Sequence, residues 1–160
     1  MTETTKIIRL DGRKVAIHQL SQGGTGRTVP FVHPAPGSGS FDPDPEQTRL
    51  HGVALLALDR PGYGEFDPVP AGEWASVATA ADDAAAALDE LGTGPVTVAG
   101  WSAGGRVALA LAARRPDLVD RVVVFHTRTR RARAVDPAAS AGRDRGHAWD
   151  AAGAGARRTA

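Results

Sequence analysis

This sequence predicts an α/β fold: a twisted, mostly parallel sheet with helices on both faces. Three observations predict it. Apolar, β-branched runs alternate with Ala-rich helical stretches from residue 28 to residue 125, the order that builds strand–helix–strand units. Near the N-terminus Asp11-Gly12 separates two β-like runs, a strong hairpin signal. The motif Gly100-Trp101-Ser102-Ala103-Gly104 stands between Val96-Thr97-Val98-Ala99 and the helix-forming residues 106–113. G-x-S-x-G therefore falls on a strand-to-helix turn.

Residues 6–10 and 14–20 read as the hairpin strands, and 21–27 as a Gly-rich loop. The third strand, 28–32, runs into His33-Pro34-Ala35-Pro36-Gly37-Ser38. Residues 43–51 can form a short helix capped by Asp42 or Asp44, with Glu46 suiting its dipole. Residues 53–58 form a continuous apolar run ending at Asp59, which reads as a buried parallel strand. Residues 74–91 read as a helix stopped by Gly92, with Asp82, Asp83, Asp89 and Glu90 available for its wet side. The helix after the motif ends near Arg114-Arg115 and is stopped by Pro116; residues 122–125 read as a last buried strand. The expected core is Val29, Phe31, Val53, Leu55, Leu56, Leu58, Val96, Val98, Val107, Leu109, Leu111, Val122, Val123 and Val124.

The pattern then stops. Residues 126–160 hold one branched apolar residue, Val135, and no lysine. The chain divides into 1–125, the folded part, and 126–160, an Arg/Ala/Gly-rich tail expected to be disordered or weakly helical. The net charge of +1 hides an asymmetry: the tail carries +5 and the first 125 residues −4. A basic tail raises nucleic-acid binding through Arg128, Arg130, Arg131 and Arg133. With no aromatic interleaving beyond Trp149, that reading is not favoured. Without cysteine there is no disulfide framework and no thiolate metal site, and no metal or cofactor is expected. No apolar run approaches the roughly 18 residues of a membrane span, and the N-terminus has no apolar signal-peptide core, so the expected location is cytoplasmic. If the sheet stops at residues 122–125, that strand is an apolar edge through which the chain would self-associate.

Three motifs, in order, resemble the α/β-hydrolase fold superfamily, in the branch with proline iminopeptidases, esterases, epoxide hydrolases and haloalkane dehalogenases. They are His33-Pro34-Ala35-Pro36-Gly37-Ser38, similar to an H-G-x-P-G-S oxyanion loop; Asp59-Arg60-Pro61-Gly62-Tyr63-Gly64, similar to D-x-x-G-x-G; and the G-x-S-x-G turn. Pro34 stands where a glycine is common, and Phe66 where the family often has serine. The resemblance covers residues 1–125, about half of a usual family member.

The resemblance implies that Ser102 is a nucleophile, lifted out of the backbone by a turn whose small neighbours Gly100 and Gly104 let the chain bend, and that the Ala103 N–H is one oxyanion donor. The second donor should come from the loop after the third strand. Pro34 and Pro36 have no N–H, which leaves Ala35 between them. A histidine at the His33 position supports that loop in the family, and Asp59 with Arg60 anchors the turn below the site. Trp101 and Tyr63 either wall an acyl pocket or simply pack. A serine nucleophile implies a small-molecule ester or amide substrate and needs a histidine base oriented by a carboxylate. Past the turn only His126 and His147 are available, with Asp136, Asp144 and Asp150 as acids. His147 is a weak candidate base, and His126 follows a strand after which the family does not place its base. His18 and His51 read as surface residues.

Two readings follow. In one, the chain carries the nucleophile part of a serine hydrolase, its acid and base are lost or come from another chain, and the tail is truncated or an out-of-register reading of a G+C-rich gene. Hydrolysis by this chain alone is then weak or absent. In the other, it is a non-catalytic binding module on the same scaffold, with the basic tail as an interaction arm.

Overall fold

The computed structural model describes residues 4–10 and 12–126, which lie within one compact unit, Met1–Thr129. The expectations for the tail, including His147, fall outside them. Nine elements follow in order: β1 Thr4–Leu10, β2 Arg13–Gln19, β3 Thr28–Val32, α1 Pro45–Leu50, β4 Ala54–Leu58, α2 Val77–Glu90, β5 Val96–Trp101, α3 Ala103–Arg114 and β6 Val119–Phe125. The sheet runs β1-β2-β4-β3-β5-β6. β1 and β2 form the expected antiparallel hairpin, from Thr4 opposite Gln19 to Leu10 opposite Arg13, and β2 pairs antiparallel with β4. The pairings β3–β4, β3–β5 and β5–β6 are parallel. This is the mostly parallel α/β sheet with helices that the sequence predicts.

Local chemistry sets the helix starts. Asp44, not Asp42, caps α1, its carboxylate accepting from the Gln47 N–H at 3.1 Å. Ser76 caps α2 by accepting from the Thr79 N–H at 2.9 Å. The helix therefore begins at Val77, three residues later than expected, and Trp74 is left 89% exposed in the preceding turn. Asp83 does not belong to the wet face of α2. It is buried and pairs with Arg13 of β2, which ties the hairpin to the helix.

Strand side chains alternate between the two faces of the sheet. Val15, Ile17, Val32, Leu58 and Val98 meet α2 and α3 through Ala81, Ala84, Leu88, Val107 and Leu111. Phe31, Leu55, Ala57 and Ala99 form a second, smaller cluster. The alanines of α2 allow it to pack closely on α3.

Four expected core residues are not core. Val53 is half-buried and belongs to neither apolar cluster. Leu109 is 40% exposed: at about 100° per residue it points roughly 200° away from Val107 and Leu111, which face the sheet. Val123 and Val124 are 44% and 41% exposed, because β6 has only β5 as a neighbour among the described residues. His18 departs the other way. It is buried, with its ring between Thr5 and Asp59. Among the described residues no helix is long and apolar enough to cross a membrane.

Leu111→Ala should cost about 2–5 kcal/mol of stability, the range for emptying a buried leucine site. Leu109→Ala, on the wet side of the same helix, should cost about 0.5 kcal/mol. Urea unfolding midpoints check both; equal losses would overturn this assignment of faces.

Candidate active site

Ser102 joins β5 to α3 with φ 53° and ψ −114°. That φ is left-handed, yet ψ lies far from the small left-handed region open to side chains, a strain of about 1–3 kcal/mol. Two backbone bonds hold it. The Ser102 N–H donates to the Phe125 carbonyl at 2.9 Å, and the Gly105 N–H donates to the Ser102 carbonyl at 3.1 Å. Both glycines of the motif are required by contact. A Cβ on Gly104 would stand 2.1 Å from the Val32 carbonyl oxygen and 2.6 Å from that of His33, and one on Gly100 would stand 2.6 Å from the Gly104 carbonyl oxygen. The first turn of α3 is thus pressed onto the end of β3, where the His33–Ser38 loop begins.

That loop is fixed by a buried polar network. His33 has no exposed surface. Its Nε2 accepts from the Arg60 N–H at 3.2 Å, so the proton is on Nδ1, which donates to the Pro34 carbonyl at 2.7 Å. Burial is the main reason that its pKa lies below the ordinary imidazole value; the nearby Arg60 charge acts in the same direction, and the Pro34 hydrogen bond opposes them. Arg60 Nη2 also donates to the Pro34 carbonyl, at 3.2 Å. The Pro34 carbonyl and the Ala35 N–H belong to one planar trans peptide and point in opposite directions. Two donors on the carbonyl therefore aim the Ala35 N–H away from His33 and Arg60. Neither Ala35 nor Ala103 donates to a turn, loop or cap carbonyl among the described residues.

Asp59 is the anchor beneath, through partners other than Arg60. Its fully buried carboxylate accepts from His18 Nε2–H at 2.9 Å, from the Gly39 N–H at 2.5 Å and from the Glu65 N–H at 3.0 Å. It joins β2, the loop after β3 and the turn after β4. Tyr63 packs on this network, its ring centre 5.5 Å from that of His33 and 4.4 Å from the Arg60 guanidinium carbon. Trp101 packs between Phe41, at 5.8 Å, and His126, at 6.4 Å.

Ser102, Ala103, Arg106 and His126 line a cleft of about 320 Å³. Sequence reasoning passed over Arg106 as a helix former, although four residues beyond Ser102 on a helix is one turn on, along the same side. His126 reaches the cleft because β6 lies parallel and adjacent to β5, so both strands end at the same edge. Like Ser102 it has a positive φ, 51°. Among the described residues no group of three or more His, Cys, Asp or Glu is placed to hold a metal ion.

The pattern of the alpha/beta hydrolase fold family matches residues 31–151. A pimeloyl-[acyl-carrier protein] methyl ester esterase of Neisseria meningitidis serogroup B is 46% identical over 65 residues, 41% of this chain and 22% of that protein. An (E)-2-((N-methylformamido)methylene)succinate hydrolase of Acinetobacter baylyi is 29% identical over 126 residues, 76% of this chain and 45% of that protein. Among solved structures, a thioesterase domain from the curacin biosynthetic pathway superposes with a TM-score of 0.71 at 16% identity, covering 88% of this chain and 52% of that domain. At that identity the likeness is one of fold. This chain spans less than half the length of either of these curated relatives.

The His33 ring carries a pH prediction. The native ring refuses a proton that the unfolded chain takes up below about pH 6.5. The unfolded state then binds more protons, so stability falls as pH drops below about 6.5. Ring resonances followed by NMR should show the Nδ1–H tautomer and a midpoint below 6.5; a midpoint at or above 6.5 would contradict the network described.

Proposed function

We propose that this chain, which belongs to the alpha/beta hydrolase fold family, carries the nucleophile and oxyanion hole of a serine hydrolase that cuts an ester or amide bond. The observation that carries the proposal is the strained Ser102, held by Phe125 and Gly105 at the first turn of α3 and opening on a cleft. Strain of this kind is kept where a side chain must be presented in one direction. The names of the two curated relatives, a methyl ester esterase and a succinate-type hydrolase, support the bond type.

In this reading Ser102 Oγ attacks the substrate carbonyl carbon and its proton passes to a general base. The carbonyl oxygen becomes an oxyanion that accepts from the N–H groups of Ala103 and Ala35, with the dipole of α3 adding to the stabilisation. As the oxyanion collapses, the bond to the alcohol or amine breaks and the base returns the proton to the leaving group. Water then attacks the acyl-serine by the same steps and releases the acid. His33 and Arg60 act as positioning residues through the Pro34–Ala35 peptide. The reading assigns the base and its carboxylate to no described residue; the family match continues past residue 125 to residue 151.

A triad without its base loses on the order of 10⁴–10⁶ in rate. The chain alone should therefore hydrolyse p-nitrophenyl acetate weakly, and Ser102→Ala should remove what activity there is. Weak turnover unchanged by Ser102→Ala would overturn the nucleophile and favour a binding module. Ordinary turnover abolished by Ser102→Ala would keep the nucleophile, overturn the missing base and direct the search to His126 and His147.

A further inference from the structure

We propose that the cleft between Arg60 and Arg106 binds a carboxylate carried by the substrate, so that the bond cut at Ser102 belongs to a monoanionic ester or amide. This rests on the hydrolase reading above and adds to it the substrate class. The cleft has a volume of about 230 Å³ and shares Ala103 and Arg106 with the cleft at Ser102, so a ligand bound in it lies next to the reacting serine. Among the described residues its charged lining is of one sign, Arg60 and Arg106.

Arg60 is the more telling of the two. Arg13, Arg114 and Arg115 each meet an aspartate: Asp83, Asp82 and Asp89. Arg60 has no carboxylate partner among the described residues. One nitrogen donates to the Pro34 carbonyl, its carbon lies over the Tyr63 ring, and its Nε is buried without a partner. Burial holds its pKa below the ordinary guanidinium value. A half-buried cation without an anion is unfavourable, and an anionic ligand relieves it. The first turn of α2 adds to the field. Val77 lines the cleft, and that turn contains no acidic residue to offset the positive end of the helix.

The rest of the lining selects among anions. Pro61, Tyr63, Val77, Ala80 and Val107 are largely apolar. A phosphate dianion is costly to dehydrate against such walls, whereas a planar carboxylate sheds less hydration and matches the fork of a guanidinium. The substrate thus presents its scissile carbonyl to Ser102 and its carboxylate to the two arginines.

The test is binding to the full chain, followed by NMR at the Val77 and Ala103 amides, with methyl hydrogen succinate, dimethyl succinate and methyl phosphate as probes. Methyl hydrogen succinate should shift both amides, and the neutral diester should not. Arg106→Gln, which removes the charge at an exposed helix position and keeps a polar helix-forming side chain, should weaken the binding about tenfold, and Arg106→Lys should restore part of it. Equal binding of the two succinate esters, no binding of either, tighter binding of methyl phosphate, or an unchanged affinity in Arg106→Gln would each overturn the proposal. Ser102→Ala should keep the binding. Carboxylate-dependent binding beside hydrolysis that ignores Ser102 would support this site and overturn the hydrolase reading alone.

Discussion

The structure depends on one close approach, that of the first turn of α3 to the end of β3. Gly104 lies so near the Val32 and His33 carbonyls that even a methyl group would collide with them. This contact fixes α3 against the sheet and brings Ser102 and Ala103 beside the loop that leaves β3. Parallel strands place their C-terminal ends on one edge, where open α/β sheets bind their ligands. β3, β4, β5 and β6 here deliver His33, Asp59, Ser102 and His126 to that edge. The strain at Ser102 persists because the Phe125 carbonyl at the end of β6 and the Gly105 amide in α3 leave the turn no relaxed alternative.

A second layer of polar contacts turns that edge into a site. Asp59 gathers three donors from three segments, and Gly64 leaves it room: a Cβ there would stand 2.3 Å from the carboxylate. Such a network is worth most when every member is satisfied. His33 meets that condition only as the neutral Nδ1–H tautomer, which couples a loop geometry to a protonation state. Arg60 meets it except at Nε, which is buried without a partner, and the residue lines the cleft for which we infer a carboxylate. In the proposed site the two arginines divide the work: Arg60 orients the Pro34–Ala35 peptide from within, and Arg106 adds charge from the exposed side of α3.

Much of this was legible because it is local. Asp11-Gly12 gave away the hairpin, and the flanks of Gly100-Trp101-Ser102-Ala103-Gly104 located the turn at Ser102. The two prolines left Ala35 as the one backbone N–H between them, since proline has none, and it is the donor we propose. What escaped the sequence depends on partners far along the chain. His18 looked like a surface residue because Asp59, which buries it, is 41 residues away. Asp83 looked wet because Arg13 is 70 residues away. Leu109 passed for core in an apolar helix whose orientation only packing decides, and Val123 and Val124 because a β-branched run does not show whether its strand lies inside a sheet or at its end. Ser76 was a local signal overlooked: a serine three residues before a threonine amide caps a helix better than Trp74 begins one.

The most direct test of the account is a crystal structure of the full chain after treatment with an alkyl fluorophosphonate, whose phosphorus takes the place of the carbonyl carbon under attack. The account predicts phosphorus bonded to Ser102 Oγ, with the phosphoryl oxygen about 3 Å from the N–H groups of both Ala103 and Ala35. An adduct at another residue, or a phosphoryl oxygen at Ser102 that meets neither of those groups, would contradict it.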